Sequence, residues 1–313
     1  MPKSELIKKL DALERVATAS RLHRLLTRPF RYVHAILFRE LVYAKTKQGK
    51  EVVCRTFFGQ DMHVLLPSST DIYLTGGKTH ESEIRLARFL IHCLKKGDIL
   101  VDAGAHYGYF TLLAAQLVGQ SGKVVAFEGS ATTFKVLQKN TASFKSITAH
   151  HLALSDTDGE LVFYEFPNQY AEYNALDIQQ FRQDAWIGEN PPREYRVQAV
   201  SLDGYLEKAN LSPTVIKIDV EGAEYQVIQG MGHFLEKASP VVIMEYLSGK
   251  RSGDTYLRAE QLLTSLGYTP FAIDRSGALQ PMGSAAEYMS RKGLESDNIV
   301  FCKHVVILRG NEV

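Results

Sequence analysis

The sequence predicts an α/β fold with a mostly parallel sheet and helices on both faces, and three runs carry that reading. Ile99-Leu100-Val101-Asp102 has the pattern of a buried strand. It passes through Ala103-Gly104-Ala105-His106-Tyr107-Gly108 into helical spacing at Tyr109, Phe110, Leu112, Leu113 and Leu117. Lys123-Val124-Val125-Ala126-Phe127-Glu128 is a second short apolar strand closed by an acid. Val215-Ile216-Lys217-Ile218-Asp219 is another, apolar apart from one lysine, and it turns through Val220-Glu221-Gly222-Ala223-Glu224 into a helix over Tyr225–Met231. Strands alternating with helices build a parallel sheet, and ligands bind at the carboxyl ends of its strands.

In chain order, residues 1–50 predict a basic helical extension. They hold 12 Lys and Arg against 4 Asp and Glu, a net +8, while the remainder holds 24 against 31, a net −7. Leu6, Leu10, Leu13 and Ala17, then Leu22, Leu25 and Leu26, keep helical spacing, with Lys8, Lys9, Arg15, Arg21 and Arg24 on the other face. Pro29 interrupts the pattern, and a second helix is expected over Tyr32–Ala44. This extension reads either as a packed cap or dimer element, or as a surface for peripheral membrane contact. Nucleic acid is not expected as a partner, because no aromatic residues interleave with the cations of the first helix. Residues 51–78 predict a hairpin, Glu51–Phe58 with Met62–Leu66 around Gly59-Gln60, followed by a linker.

The main domain, residues 79–313, opens with a helix over Ile84–Leu94, with Ser82 as its cap and Glu83 at its N-terminus. The loop at 102–108 then narrows the choice of ligand. Gly104 and Gly108 give G-x-x-x-G rather than the dinucleotide G-x-G-x-x-G, whose middle glycine lets a pyrophosphate approach the backbone. A ligand without a pyrophosphate does not need that glycine. S-adenosylmethionine is one, and Asp102 would help to hold its ammonium. Glu128 would accept hydrogen bonds from the ribose hydroxyls. His151–Asp156 fits a third strand, with Leu154 and Ser155 near the adenine.

Residues 157–213 form a long insertion with extended runs at Leu161–Phe166 and Tyr195–Leu202. Between them lie Tyr170, Tyr173, Phe181 and Trp186, which suggest a lid or substrate wall. Val241–Glu245 is the fifth core strand and ends in another acid. A helix over Tyr256–Leu266 follows, then a closing antiparallel pair, Tyr268–Ile273 with Asn298–Leu308. Cys54, Cys93 and Cys302 are far apart and form no metal pair, which suggests a reducing, cytoplasmic setting. Neither a membrane-spanning run nor the apolar core of a signal peptide is visible.

Val101–Tyr109, Val125–Glu128, Ala153–Asp156, Ser201-Leu202-Asp203 and Ile216–Glu224 resemble, in this order, the motifs of the FkbM family of S-adenosylmethionine-dependent methyltransferases. Lys217-Ile218-Asp219-Val220-Glu221-Gly222 is the most diagnostic of them. Two positions depart from the family pattern: His106 replaces the usual asparagine, and Gly129 a proline. The resemblance implies a Rossmann-like class I methyltransferase fold with a seven-stranded sheet. It also implies a cofactor site drawn from Glu81, Asp102, Gly104, Ala105, His106, Tyr107, Gly108, Glu128, Ser130, Leu154, Ser155 and Asp219, and O-methylation of a sugar, glycolipid, polyketide or peptide-type natural product.

Asp219, Glu221 and Glu245 stand at neighbouring strand ends and leave two chemistries open. One of them takes the proton of an acceptor hydroxyl as its oxygen attacks the sulfonium methyl, or the three hold a divalent cation such as Mg²⁺ that makes the hydroxyl more acidic. Glu221 and Glu224 also suit a helix N-terminus with no catalytic role. His80, His106 and His151 are further candidate bases, with His106 favoured because the loop directs it into the cleft. The fourth strand lacks the Asn/Asp-Pro-Pro-Tyr of enzymes that methylate nucleic-acid amino groups, so a small-molecule hydroxyl acceptor is expected. Two other classes share this sheet: an NAD-linked oxidoreductase, which the glycine spacing disfavours, and a non-catalytic binding protein. Separate titrations with S-adenosylmethionine and NAD distinguish all three.

Overall fold

The computed structural model describes residues 1–20, 25–26, 28–179, 184–248 and 253–303. Arg21, Leu22, Arg24, Phe181 and the end of the last expected strand lie outside them. The chain starts with α1 (Lys3–Thr18) and α2 (Pro29–Leu37), which runs on through a wider turn at Phe38–Tyr43. The hairpin β1 (Lys50–Arg55) and β2 (Asp61–Leu66) follows, then α3 (Thr70–Thr75) and α4 (Glu81–Cys93). Ser82 does not cap α4. The helix starts at Glu81, three residues earlier than expected, His80 occupies the cap position, and the Ser82 hydroxyl bonds the His80 Nδ1 at 2.7 Å.

The core alternates β3 (Ile99–Ala103), α5 (Tyr109–Val118), β4 (Lys123–Phe127), α6 (Ala131–Thr141) and β5 (Ile147–His150). After an insertion come α7 (Leu202–Ala209), β9 (Val215–Ile218), α8 (Glu224–Gln229), α9 (Gly232–Lys237) and β10 (Val241–Leu247). The chain closes with α10 (Gly253–Ser265), β11 (Thr269–Ile273), β12 (Leu279–Pro281), α11 (Ala285–Lys292) and β13 (Ser296–Cys302).

These strands form one sheet in the order β12-β11-β13-β10-β9-β3-β4-β5. The five from β5 to β10 are parallel, and β13 and β11 are antiparallel to their neighbours. The sheet has eight strands rather than the expected seven because Leu279–Pro281 adds an edge beside β11. Successive residues of a strand face opposite sides. Leu100, Val124, Val215 and Ile243 pack towards α1, α4 and α5, while Val101, Val125, Ile216 and Val242 pack towards α7, α8 and α10. Burial on both faces explains why the core strands read as unbroken apolar runs.

The third strand departs from expectation. The sheet takes Ile147–His150, whereas β6 (Ala153–Ser155) leaves it to pair in parallel with β8 (Arg193–Ser201). Strand β7 (Gly159–Glu165) pairs antiparallel with β8, so the insertion is a three-stranded ribbon carrying residues 166–192 at its tip. The physical cause is that β8 offers an unpaired edge on which Ala153, Leu154 and Ser155 are all buried. At the N-terminus, Leu6, Leu10 and Leu13 bury against α4, and Arg88 pairs with Asp11 and Glu14. The apolar stripe of the first helix is therefore used in packing.

Candidate active site

The turn after β3 is set by close approach. Gly104 has φ +76°, and a Cβ there would lie 1.7 Å from the Asp219 carbonyl oxygen at the end of β9. Only glycine allows the two strand ends to sit this close. The backbone N–H of His106, itself left-handed at φ +51°, donates to a Glu128 oxygen at 2.8 Å, and the Ser130 N–H donates to the other at 2.8 Å. The carboxyl ends of β3 and β4 are thereby tied together at one mouth of a 370 Å³ cavity, within the size range of small-molecule sites.

One end of the cavity combines Glu128 with Phe127, Gly129, Leu152, Ala153 and Leu154. An acid beside an apolar strip suits a ribose diol beside a purine. Burial pushes the Glu128 carboxyl up to about 7, although the Ser130 and His106 N–H groups oppose that shift. The donor set fits S-adenosylmethionine. The other end is lined by Asp71, Lys78, Glu83, Glu172, Asp219, Glu221 and Glu245. The insertion contributes Ala171, Glu172, Tyr173, Asn174 and Leu176 to the cavity lining.

Asp219, Glu221 and Glu245 meet there, with one carboxylate oxygen of each within 4.8 Å of the others. Three acids this close cannot all ionise independently. Burial tends to raise the Asp219 pKa, but the Lys217 and Lys78 ammonium groups outweigh it and hold the carboxyl below its ordinary value, and it shares a hydrogen bond with Glu245. Burial, then the charge of Asp219, raises both Glu221 and Glu245 well above the ordinary carboxylate range. Glu221 sits at φ +55°, in a turn held by Glu224, whose carboxylate accepts the N–H groups of Val220 at 3.2 Å and Gly222 at 2.9 Å. Glu224 is thus a structural acid. The oxygen-only set fits a hard divalent cation.

Several expected contacts are corrected. Asp102 does not line the cavity. It accepts the Thr111 hydroxyl at 2.6 Å and pairs with Lys217 at 3.3 Å beneath the loop, so its charge is already balanced. Tyr107 is buried, with its hydroxyl against Ser68 and Asn168, and Ala105 and Gly108 shape the turn without facing the cavity. Ser130 caps α6 and bonds Glu165, and Ser155 bonds Asp156. Glu81 points outward to Arg275 at 3.5 Å, and Glu83 lines the cavity in its place.

His106 does line the cavity, but burial, with Lys78 beside it, lowers its pKa to about 3. A conjugate acid that strong makes a poor base near neutral pH. Sequence reading missed Lys78, Asp71 and Glu172. Lys78 pairs with Glu83 and lies in a Gly-Gly-Lys run without periodicity. Lys217 carried a signal, as the one charge in an apolar strand.

A family profile described as the Methyltransferase FkbM domain matches residues 102–270. The chain is 30% identical over 190 residues to Methyltransferase 1 of Beauveria bassiana, covering 57% of this chain and 74% of that protein. It is 23% identical over 158 residues to the hexuronic acid methyltransferase AglP of Haloferax volcanii, covering 50% and 59%. Among solved structures, it is similar to methyltransferase FkbM from Methylobacillus flagellatus at 13% identity and a TM-score of 0.43, covering 75% of this chain and 52% of the other. The chain thus spans about half the length of that solved structure.

Proposed function

The chain belongs to the FkbM family of S-adenosylmethionine-dependent methyltransferases, and from that premise we propose that it methylates a hydroxyl group of a neutral small molecule. The cavity's division carries the reading: a ribose-type acid beside an apolar strip at one end, and a carboxylate cluster at the other. S-adenosylmethionine supplies the methyl group as an electrophile on sulfur. Glu128 holds the ribose, and Leu152–Leu154 flank the base. Glu221, in its ionised form, accepts the acceptor's proton: its raised proton affinity makes that form a stronger base than Asp219, which the Lys217 and Lys78 ammonium groups weaken, and the same raised affinity confines turnover to the fraction of protein in which Glu221 is ionised. Lys78, kept charged mainly by Glu83 against the cost of burial, limits the repulsion among the acids. The acid-rich end disfavours phosphodiester acceptors, and a sugar-like polyol fits its hydrogen-bonding groups. The similarity to a hexuronic acid methyltransferase supports a sugar acceptor, of which this acid-rich cavity favours one without the carboxylate that a hexuronic acid carries.

A second reading, in which Asp219, Glu221 and Glu245 hold Mg²⁺, rests on their mutual distances. Transfer of labelled methyl groups into extracts of the source organism tests both readings. Glu221→Ala is expected to lower kcat by a factor on the order of 10²–10⁴ with donor affinity retained. Unchanged turnover in both Glu221→Ala and Asp219→Ala would contradict the carboxylate role, and indifference to a chelator would remove the metal.

A further inference from the structure

The surface of the second helix carries side chains that the fold does not use. Phe30, Val33, Leu37 and Leu41 recur along the exposed side of α2 and the wider turn that continues it, with Phe30 90% and Leu41 59% exposed, and Leu26, 70% exposed, stands ahead of the helix. Soluble surfaces rarely gather large apolar groups in this way without a partner. The opposite side of α2 is anchored: Arg31 donates to the Tyr73 carbonyl at 3.0 Å and lies over its ring, and the Tyr43 hydroxyl accepts the Gln169 N–H at 2.9 Å. The apolar face is therefore rigidly presented.

Charge identifies the occupant. Residues 28–50 contain six Lys and Arg against one acid, Glu40, and Arg28, Arg39, Lys45, Lys47 and Lys50 are exposed. Beside Phe30 runs a groove to which Lys9, Arg28, Arg31 and Arg55 contribute, with no acidic side chain among its described lining residues. A second copy is disfavoured, because a two-fold contact through this face would set its cations against one another. An anionic lipid surface satisfies both features, apolar side chains entering the acyl boundary and cations meeting headgroups.

We propose that the exposed face of residues 28–47 docks the protein on an anionic lipid bilayer. The docking helix touches both walls of the active-site cavity, since α3 supplies Asp71 and Ile72, and the turn holding Gln169 leads to Ala171 and Glu172. The enzyme is thereby held with its cavity close to the membrane plane.

The full-length protein is to be tested by co-sedimentation with phosphatidylcholine vesicles, with and without phosphatidylglycerol as about a quarter of the lipid. Binding is expected only to the phosphatidylglycerol vesicles and should weaken with salt. Arg28→Gln, Lys45→Gln and Lys47→Gln together are expected to weaken it about a hundredfold, from roughly fivefold per cation. Phe30→Ser, Leu37→Ser and Leu41→Ser together should weaken it at least as much, because exposed apolar groups drive insertion. S-adenosylhomocysteine binding should stay unchanged in both sets, which shows that they fold. The proposal is overturned if the native protein does not sediment with phosphatidylglycerol vesicles at low salt, or if the serine variant sediments equally. It is also overturned if sedimentation velocity shows a native dimer that the serine variant disperses.

Discussion

Lys217 lies 3.3 Å from Asp102 and 3.1 Å from Asp219, and is itself almost wholly buried. Burial alone would lower its pKa, but Asp219 and Asp102 reverse the effect and keep the ammonium charged. Removing one partner of a buried pair costs about 3–5 kcal/mol, because the remaining charges lose compensation. Lys217→Met is accordingly expected to lose stability of that order in urea unfolding, and a loss under about 1 kcal/mol would contradict the arrangement. Glu128 gives a prediction of pH dependence. Its folded pKa of about 7 exceeds the ordinary value of 4.5, so the folded protein holds the extra proton between those pH values. Its contribution to stability is therefore present below pH 4.5 and is lost as the pH rises towards 7. Ribose hydroxyls donate to the ionised form, so donor affinity should rise about tenfold per unit below pH 7 and level off above it. Glu128→Gln should flatten that slope, and a slope persisting in the variant would assign it to another group.

At the scale of elements, the turn after β3 and the ribbon tip govern the cavity. Gly104→Ala places a methyl group against the Asp219 carbonyl, a backbone atom that cannot swing aside, so donor binding is expected to fall below detection even where the variant folds. Trp186, the sole tryptophan, stacks on Tyr170 at 4.4 Å with an interplanar angle of 13°. Tyr170 belongs to the turn whose neighbours Ala171 and Glu172 line the cavity. Ligand binding should therefore change the intrinsic fluorescence, whereas Trp186→Phe should abolish the signal and leave calorimetric affinity intact. An absent signal in the native protein would show that the tip does not respond to the cavity. Four of the five parallel core strands were legible because burial on both faces leaves unbroken apolar runs, whereas Ile147–His150 at the edge is only partly buried and carries no such run. The departure of Ala153–Ser155 was not, because a short apolar run fits either sheet, and the competition is decided by an edge some forty residues later in the chain.

Across the whole molecule, strand ends in a parallel sheet converge on one side, and Glu128, Asp219, Glu221 and Glu245, read at three such ends, all line one cavity. Where the loop turns inwards, as at Asp102 and Tyr107, side chains named by motif position have partners beneath the cavity rather than lining it. Residues from the N-terminal half, Lys78 and Asp71, could not be placed, because nothing local links a Gly-Gly-Lys turn to strand ends more than a hundred residues away. The basic extension divides in the same way: the first helix buries its stripe against α4, while the second leaves its own exposed. No helix among the described residues is long and apolar enough to cross a membrane. The proposed function requires the cavity to hold an adenosine-based methyl donor through Glu128. Isothermal titration calorimetry at pH 8, with S-adenosylhomocysteine and NAD run separately against the native protein and Glu128→Gln, tests it most directly. One-to-one S-adenosylhomocysteine binding is predicted, weakened about tenfold to a hundredfold in the variant through loss of a charged acceptor, with no heat from NAD. NAD binding in place of S-adenosylhomocysteine, or a variant that binds S-adenosylhomocysteine as tightly as the native protein, would contradict it.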